Sequence, residues 1–486
     1  MTSASLIPDT PSGDGIQDRL PAWLFIASLA LVGGLTLAVG ALAHWGALAG
    51  VEWLAILPAL PLGVALFVGT CRWPSLIVHL SLVGVVLDQW EGLKFTGVPF
   101  LTATKILLLV AVLILILRGV IPGRKNPPLL LPATALAHLP FSLICLGSAL
   151  AFAYSWRSGL RWVIAPVTLP FLAIVLTQFL SDPRTAARLV RAFALYSFIP
   201  VAAAGIESVI QRRFSGAALE ILIYGVDDIF RVAGSFDNPN DFVVLLLFSV
   251  PILLLWAHQT PKWSARILLL SGAALQGMIL VKTYSRSGYV SMAFTLLAVA
   301  LLGRGRIRRF GLLLCLVGAL GMLALPDTRN RLITLAGIRT ESAGVSQALA
   351  SLNYRKQLLQ VAWWEFIDHP ILGIGFSNVG PRAKSYSTML AHKSTAENTY
   401  LEILAELGMV GITAYLFFLG VAWTAMRRGL ERCRGDSEIG PIFVALAAGY
   451  CGFAFNSLFD TNLPDNLPWV LLAVMVHLKP LAGNRT

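Results

Sequence analysis

Two groups of residues in this chain have types and spacings suited to chemistry. The first is basic. Arg231 stands in Phe-Arg-Val-Ala-Gly-Ser-Phe-Asp-Asn-Pro-Asn-Asp (230–241), and Lys282 and Arg286 stand in Lys-Thr-Tyr-Ser-Arg-Ser-Gly-Tyr (282–289). Gly234, Asn238, Pro239 and Asn240 predict a tight turn into a helix, whose first N–H groups and positive dipole end favour an anion. Lys282 and Arg286 are four apart, so on a continuing helix they share one face. A guanidinium forks onto phosphate oxygens, which makes this a phosphate-type site. The second group is titratable. Ala-His-Lys-Ser-Thr-Ala-Glu-Asn-Thr-Tyr (391–400) holds His392 and Glu397, the two groups best placed to move a proton. Plainer readings stand beside these. Asn238–Asp241 could do no more than cap a helix, Arg231 could be solvated, and Lys282 and Arg286 could snorkel to lipid headgroups. His392 could be solvated, and Glu397 could only complement a helix dipole.

The elements that must position these residues are set by composition. The chain has 486 residues, 57% hydrophobic and 13% charged, with 37 Lys+Arg against 25 Asp+Glu for a net charge of +12. A soluble domain carries about 25% charged residues, so an ordinary soluble enzyme is excluded and lipid becomes the solvent. At about 20 apolar residues per span, the pattern predicts an all-α polytopic membrane protein. About 14 (12–14) transmembrane helices are expected, with one long periplasmic loop containing short helices. The expected order is a flexible cytoplasmic tail over 1–21, membrane helices 1–11 over 22–325, and a periplasmic loop carrying catalytic and substrate-binding elements over 326–405. Membrane helices 12–14 follow over 406–478, then a cytoplasmic tail over 479–486. Nothing in residues 1–21 reads as a signal peptide.

Basic residues fix the expected orientation. With cytoplasmic termini, the runs Arg304–Arg309 and Arg427–Arg434 and the loop bases Arg184, Arg188, Arg191, Lys262 and Arg266 fall on the inner side. Arg231 and Arg286 fall on the outer side, where positive charge is disfavoured, and charges flanking apolar spans are functional by default. The loop over 326–405 has eight basic and six acidic residues. Within it, 353–368 has helical character, with Asn353 as its cap and Leu358, Ala362 and Phe366 on one side. This helix must end near His369-Pro370. Gly-Ile-Gly-Phe-Ser-Asn-Val-Gly (373–380) follows no strand of a βαβ unit and is not a nucleotide loop. The five cysteines have no metal spacing.

The order of these motifs carries a resemblance. Gly-x-x-x-Asn-Pro-Asn (234–240) precedes one span and Ser-Arg-Ser-Gly (285–288) opens another. Beyond the long loop's start come Tyr-Arg (354–355), His-Pro-x-x-Gly-x-Gly (369–375) and Asn-x-Tyr-Leu-x-x-x-x-x-x-Gly (398–408). Over about residues 190–470 the chain resembles the O-antigen ligase/polymerase superfamily of bacterial envelope glycosyltransferases. The resemblance implies a multi-pass enzyme of the bacterial inner membrane, independent of metal and of any cofactor. Such an enzyme moves a glycan from undecaprenyl diphosphate to an acceptor hydroxyl on the periplasmic side. The acceptor is lipid A-core for a ligase and another repeat unit for a polymerase. Carried over by motif, Arg231 and Arg286 bind the diphosphate, with Lys282, Arg355, Asn240 and Asn398 as further substrate contacts. Many ligases have a histidine before the last motif's Asn. This chain has Glu397 there, so the base is Glu397 by position or His392 from the preceding loop. The expected partners are the lipid-linked donor, the acceptor, membrane lipids and polysaccharide assembly proteins, with no nucleic acid. Two other classes remain open: a lipid-linked oligosaccharide flippase or transporter, and a non-catalytic scaffold of an assembly complex. A transporter usually shows related halves with matching broken helices, and no such pairing is visible.

Overall fold

The computed structural model describes residues 69–70, 72–87, 103–120, 129–152, 156–211, 230–236, 238–324, 329, 343–386, 395–463 and 465–480. The chain divides into two compact units, 1–76 and 77–486, and apart from the first two residues of α1 the elements discussed here lie in the second. Among the described residues all regular structure is helical. The helices are α1 (Ser75–Leu87), α2 (Ala103–Val120), α3 (Ala133–Phe152), α4 (Trp156–Thr177), α5 (Pro183–Tyr196), α6 (Phe198–Ile210), α7 (Pro239–Gln259) and α8 (Trp263–Lys282). They continue with α9 (Arg286–Leu302), α10 (Arg306–Ala324), α11 (Ala343–Asp368), α12 (Val379–Tyr386), α13 (Thr399–Cys433), α14 (Ile439–Asn456) and α15 (Asn466–Met475).

Six described helical stretches are long and apolar enough to cross a membrane: α3, α5 with α6, α7, α8, α13 and α14. Shorter apolar helices accompany them, among them parts of α2 and α4 together with α1, α9 and α15. Of the stretch 22–325 expected to hold membrane helices 1–11, residues 22–68 lie outside the described residues. Helix α7 is apolar on every side, which marks a helix enclosed by others, and 83% of its span is buried. Asn238 caps it by accepting the Asn240 N–H, and Pro239 occupies its first turn. By contrast α8 is 28% buried, and it exposes Leu268, Leu275 and Met278 while α10 exposes Leu312, Leu316 and Leu320. Such unbroken apolar faces suit lipid rather than water.

The packing sorts the helix ends. Gln259, at the end of α7, donates to the carbonyls of Ser437 and Glu438 just before α14. Arg191 of α5 pairs with Glu438 at 3.4 Å, and His258 stacks on Phe310 of α10. The expected inner-side bases Arg191, Arg304, Arg306 and Arg308 therefore gather around one end of the bundle. At the other end stand the start of α7, the junction of α8 with α9, and the end of α14. There Ser291 of α9 donates to the Asn456 side chain at 3.0 Å.

Two elements differ from the sequence reading. Helix α11 begins at Ala343, so Asn353 lies inside it rather than capping it. The preceding Ala-Gly-Val-Ser-Gln-Ala-Leu-Ala-Ser-Leu segment has enough helix-forming residues to extend the helix upstream. Helix α13 begins at Thr399 rather than 406 and breaks at Gly408 (φ 61°, ψ −158°). The break is a docking device. The 370–375 strip runs along it, with Ile374 N–H donating to the Ala405 carbonyl, Gly375 N–H to Glu406, and Met409 N–H to Pro370, each at 2.9 Å. Gly373 also has positive φ, and a Cβ on Gly373 or Gly408 would collide with the other segment's backbone. The glycine-rich 373–380 segment is thus a close-packed joint.

Candidate active site at one end of the helix bundle

The basic motifs come together through backbone. Glu207, fully buried in α6, accepts the N–H groups of Ala233 and Gly234 at 2.9 and 2.8 Å. Gly234 (φ 64°) lies against the Pro200 carbonyl. Those contacts set the turn that presents Arg231. Its Nε donates to the Thr283 carbonyl at 2.9 Å, and its Nη2 donates to Asn240 Oδ1 at 3.3 Å. Asn240 Oδ1 also accepts from Ser285 Oγ at 2.8 Å, and Val232 N–H donates to the Lys282 carbonyl at 3.3 Å. Arg231, Asn240 and the 282–286 turn therefore form one network.

Arg286 is the first residue of α9 and is half-buried. Ser285 caps that helix by accepting the Gly288 N–H at 3.1 Å. Lys282 and Arg286 do not share a helix face, as a continuing helix would require. Helix α8 ends at Lys282, and Tyr284 takes a positive φ of 50° before α9 starts. Lys282 brings its carbonyl to the network while its side chain is exposed.

A second cluster forms around Glu397. Arg355 of α11 places Nη2 2.9 Å from Glu397 Oε2 and donates from Nη1 to the Phe459 carbonyl at 3.3 Å. The Glu397 side chain is 7% exposed and that of Arg355 28%. Glu397 itself has a φ of 57°, a conformation that costs a non-glycine residue on the order of 1–3 kcal/mol and clusters at functional sites. Asn398 caps α13, its Oδ1 accepting the Leu401 N–H and its Nδ2 donating to the Leu458 carbonyl. Both ends of that side chain thus serve the local fold. Tyr386 of α12 donates to Glu365 Oε1 at 3.4 Å. Partial burial, then the carboxylates of Glu365 and Asp368, raise its phenol above the ordinary tyrosine range. His392 lies outside the described residues.

Helices α9 and α14 connect the clusters. Ser291 lies five residues beyond Arg286, about 7.5 Å along a helix, and holds Asn456. Beyond it the 457–462 turn binds α13, with Thr399 N–H donating to the Ser457 carbonyl at 2.9 Å and Thr399 Oγ1 to the Asp460 carbonyl at 2.9 Å.

Among the buried acids that sequence reasoning missed are Glu207, Glu402 and Glu406. Glu402 Oε2 accepts from Ala396 N–H at 2.8 Å and Thr461 Oγ1 at 2.6 Å. Glu406 accepts from Ser377 N–H at 2.8 Å and Val379 N–H at 3.1 Å, anchoring the start of α12. The available signal was a lone acid in an apolar helix, which is expensive without partners.

These features define a polytopic helical membrane protein with arginine-bearing polar clusters at one end of its bundle. Residues 267–416 match the family model for O-antigen ligase, which makes this segment similar to the O-antigen ligase-like superfamily. The matched segment contains Arg286, Arg355, Glu397 and Asn398, while Arg231 and Asn240 precede it. No curated protein matches the chain.

Proposed function

We propose that this protein is a glycosyltransferase of the inner membrane. It takes an oligo- or polysaccharide from undecaprenyl diphosphate and joins it to an acceptor hydroxyl at the periplasmic face, either lipid A-core or a growing repeat chain. In this reading Arg231 and Arg286 hold the diphosphate and offset the charge that grows on it as the bond to C1 breaks. Glu397 accepts the proton of the attacking hydroxyl, with His392 as the alternative base. The acceptor oxygen bonds to C1, the C1–oxygen bond to the diphosphate breaks, and undecaprenyl diphosphate leaves. The anomeric centre inverts without a covalent intermediate, and neither metal nor cofactor takes part.

The observation that carries the reading is the Arg231–Thr283 hydrogen bond, which puts Arg231 beside the turn bearing Arg286. Supporting it, the Arg355–Glu397 pair is tied to the same helices through Asn456 and the 457–462 turn. The test is the full-length protein in proteoliposomes with lipid-linked glycan and acceptor supplied on one face. Formation of a new glycosidic bond without transfer of the donor across the bilayer is expected. Donor movement without bond formation would overturn the reading in favour of a flippase.

A further inference from the structure

Helix α11 carries two unlike faces. One packs: Tyr354, Leu358, Val361 and Ala362 are buried against α12 and the start of α13. The other is exposed along its length and changes character on the way. Lys356, Gln357 and Gln360 give way to Trp363, Trp364 and Ile367, all of them exposed. Gln357, Gln360, Trp364 and Ile367 recur at the three- and four-residue spacing of a single helix face. Over about 15 Å of helix, that face therefore turns from polar to apolar. The 370–375 strip extends the apolar end with Ile371 and Leu372, 67% and 54% exposed. A contiguous apolar patch of this kind marks an interaction surface rather than one kept in water.

The position of the patch is fixed by α13. Met409 N–H donates to the Pro370 carbonyl at 2.9 Å and Val410 N–H to the Ile371 carbonyl at 3.3 Å, so the strip lies alongside the residues that follow the Gly408 break. From Met409 to Arg427, which opens a basic run, α13 covers about 27 Å. That is close to the roughly 30 Å of a bilayer's hydrocarbon core. Met409, Leu416 and Phe417 are themselves exposed, so the strip joins the apolar outer surface of α13 where that surface leaves the hydrocarbon. Asp368 and His369, exposed between Ile367 and Ile371, set the depth at the headgroups, because a charge is expensive any deeper. Trp363 and Trp364 belong to the residue types that concentrate at this level, and the Tyr386 ring lies 6.0 Å from that of Trp364.

We infer that the C-terminal end of α11 and the 370–372 strip dock on the bilayer surface at this end of the bundle, with Trp363, Trp364 and Ile367 at the boundary between headgroups and acyl chains and Gln357 in water. The partner is the phospholipid surface, with which the patch is continuous through α13. The docking itself does not depend on the glycosyl-transfer reading. For that reading it supplies a height. Arg355 precedes Trp363 by about 12 Å along the same helix, so the anchor holds the Arg355–Glu397 pair near the headgroup layer, where the diphosphate of a lipid-linked donor sits.

The test places an environment-sensitive fluorescent amino acid in place of Ile367 or of Gln357 in the full-length protein. Each form is reconstituted in liposomes of phosphatidylethanolamine and phosphatidylglycerol, with and without phospholipid brominated on its acyl chains. Quenching by bromine at 367 is expected to exceed that at 357 by at least about twofold. Position 371 is a second, independent site with the same expectation, which keeps the test intact if the probe at 367 disturbs folding. Ratios below about twofold at both sites overturn the docking. A probe at 367 that is shielded from aqueous acrylamide yet spared by brominated lipid also overturns it, because a protein surface, from a second copy or an assembly partner, then covers the face. The readout needs no substrate, so a protein that forms no glycosidic bond but shows the expected quenching loses the glycosyl-transfer reading and keeps the docking.

Discussion

Replacing Arg355 with alanine strips Glu397 of its ion-pair partner while leaving its carboxylate in a nearly closed site. The magnitude follows from the two exposures. A fully buried pair broken on one side costs about 3–5 kcal/mol, and an exposed pair about 0–1 kcal/mol. Here the acid is 7% exposed and the arginine 28%, so the pair sits between these limits, at about 2 kcal/mol. Glu397→Gln keeps the shape and can still accept from Arg355, so its stability loss should be near 1 kcal/mol. Its effect on transfer should be far larger, because an amide does not take the acceptor's proton. Loss of a general base lowers rates by about 10²–10⁴-fold. The assay is a double-mutant cycle in a reversible SDS titration of purified protein, run beside glycan transfer at matched protein amounts. A coupling energy of about 1–2 kcal/mol between the two positions is expected. A coupling below about 0.3 kcal/mol would refute the ion-pair reasoning. Wild-type transfer by Glu397→Gln would refute the assignment of the base to Glu397.

Three further outcomes follow from the same contacts. Arg286→Lys keeps a point charge but loses the fork, so transfer should fall at least tenfold with normal protein levels; unchanged activity would show that fork geometry is not used. Glu207→Ala removes the one carboxylate oxygen that accepts both the Ala233 and Gly234 N–H groups, costing about 1–3 kcal/mol, and should loosen the Arg231 turn; wild-type resistance to proteolysis there would contradict this. Gly408→Ala forces a Cβ into the Ile371 backbone at positive φ, so yield and Tm of the purified protein should drop sharply, and an unchanged Tm would count against the joint between α13 and the 370–375 strip.

What the sequence disclosed was mostly local. Asn238-Pro239 starts α7, and α11 stops ahead of His369-Pro370, because caps and prolines act over a few residues. The apolar runs disclosed an all-helical membrane protein for the same reason. The helix continuity assumed between Lys282 and Arg286 failed because Tyr284 adopts a left-handed φ that its residue type does not advertise. Asn353 misled as a cap because an upstream helix overrides a single cap former. Arg355 and Glu397 were each singled out from motifs, but their pairing depends on how α11 folds back on the start of α13, which no local pattern encodes. Glu207, Glu402 and Glu406 were missed because their partners, backbone N–H groups and the Thr461 hydroxyl, are brought to them only by the tertiary fold.

The most direct measurement of the central claim is glycan transfer by purified full-length protein in proteoliposomes, wild type against Arg286→Ala and Arg231→Ala at equal reconstituted amounts. Wild type should build acceptor-linked glycan and release undecaprenyl diphosphate, and both variants should lose transfer while retaining the wild-type elution profile. Full transfer by the arginine variants, or none by wild type with both substrates present, would contradict the account.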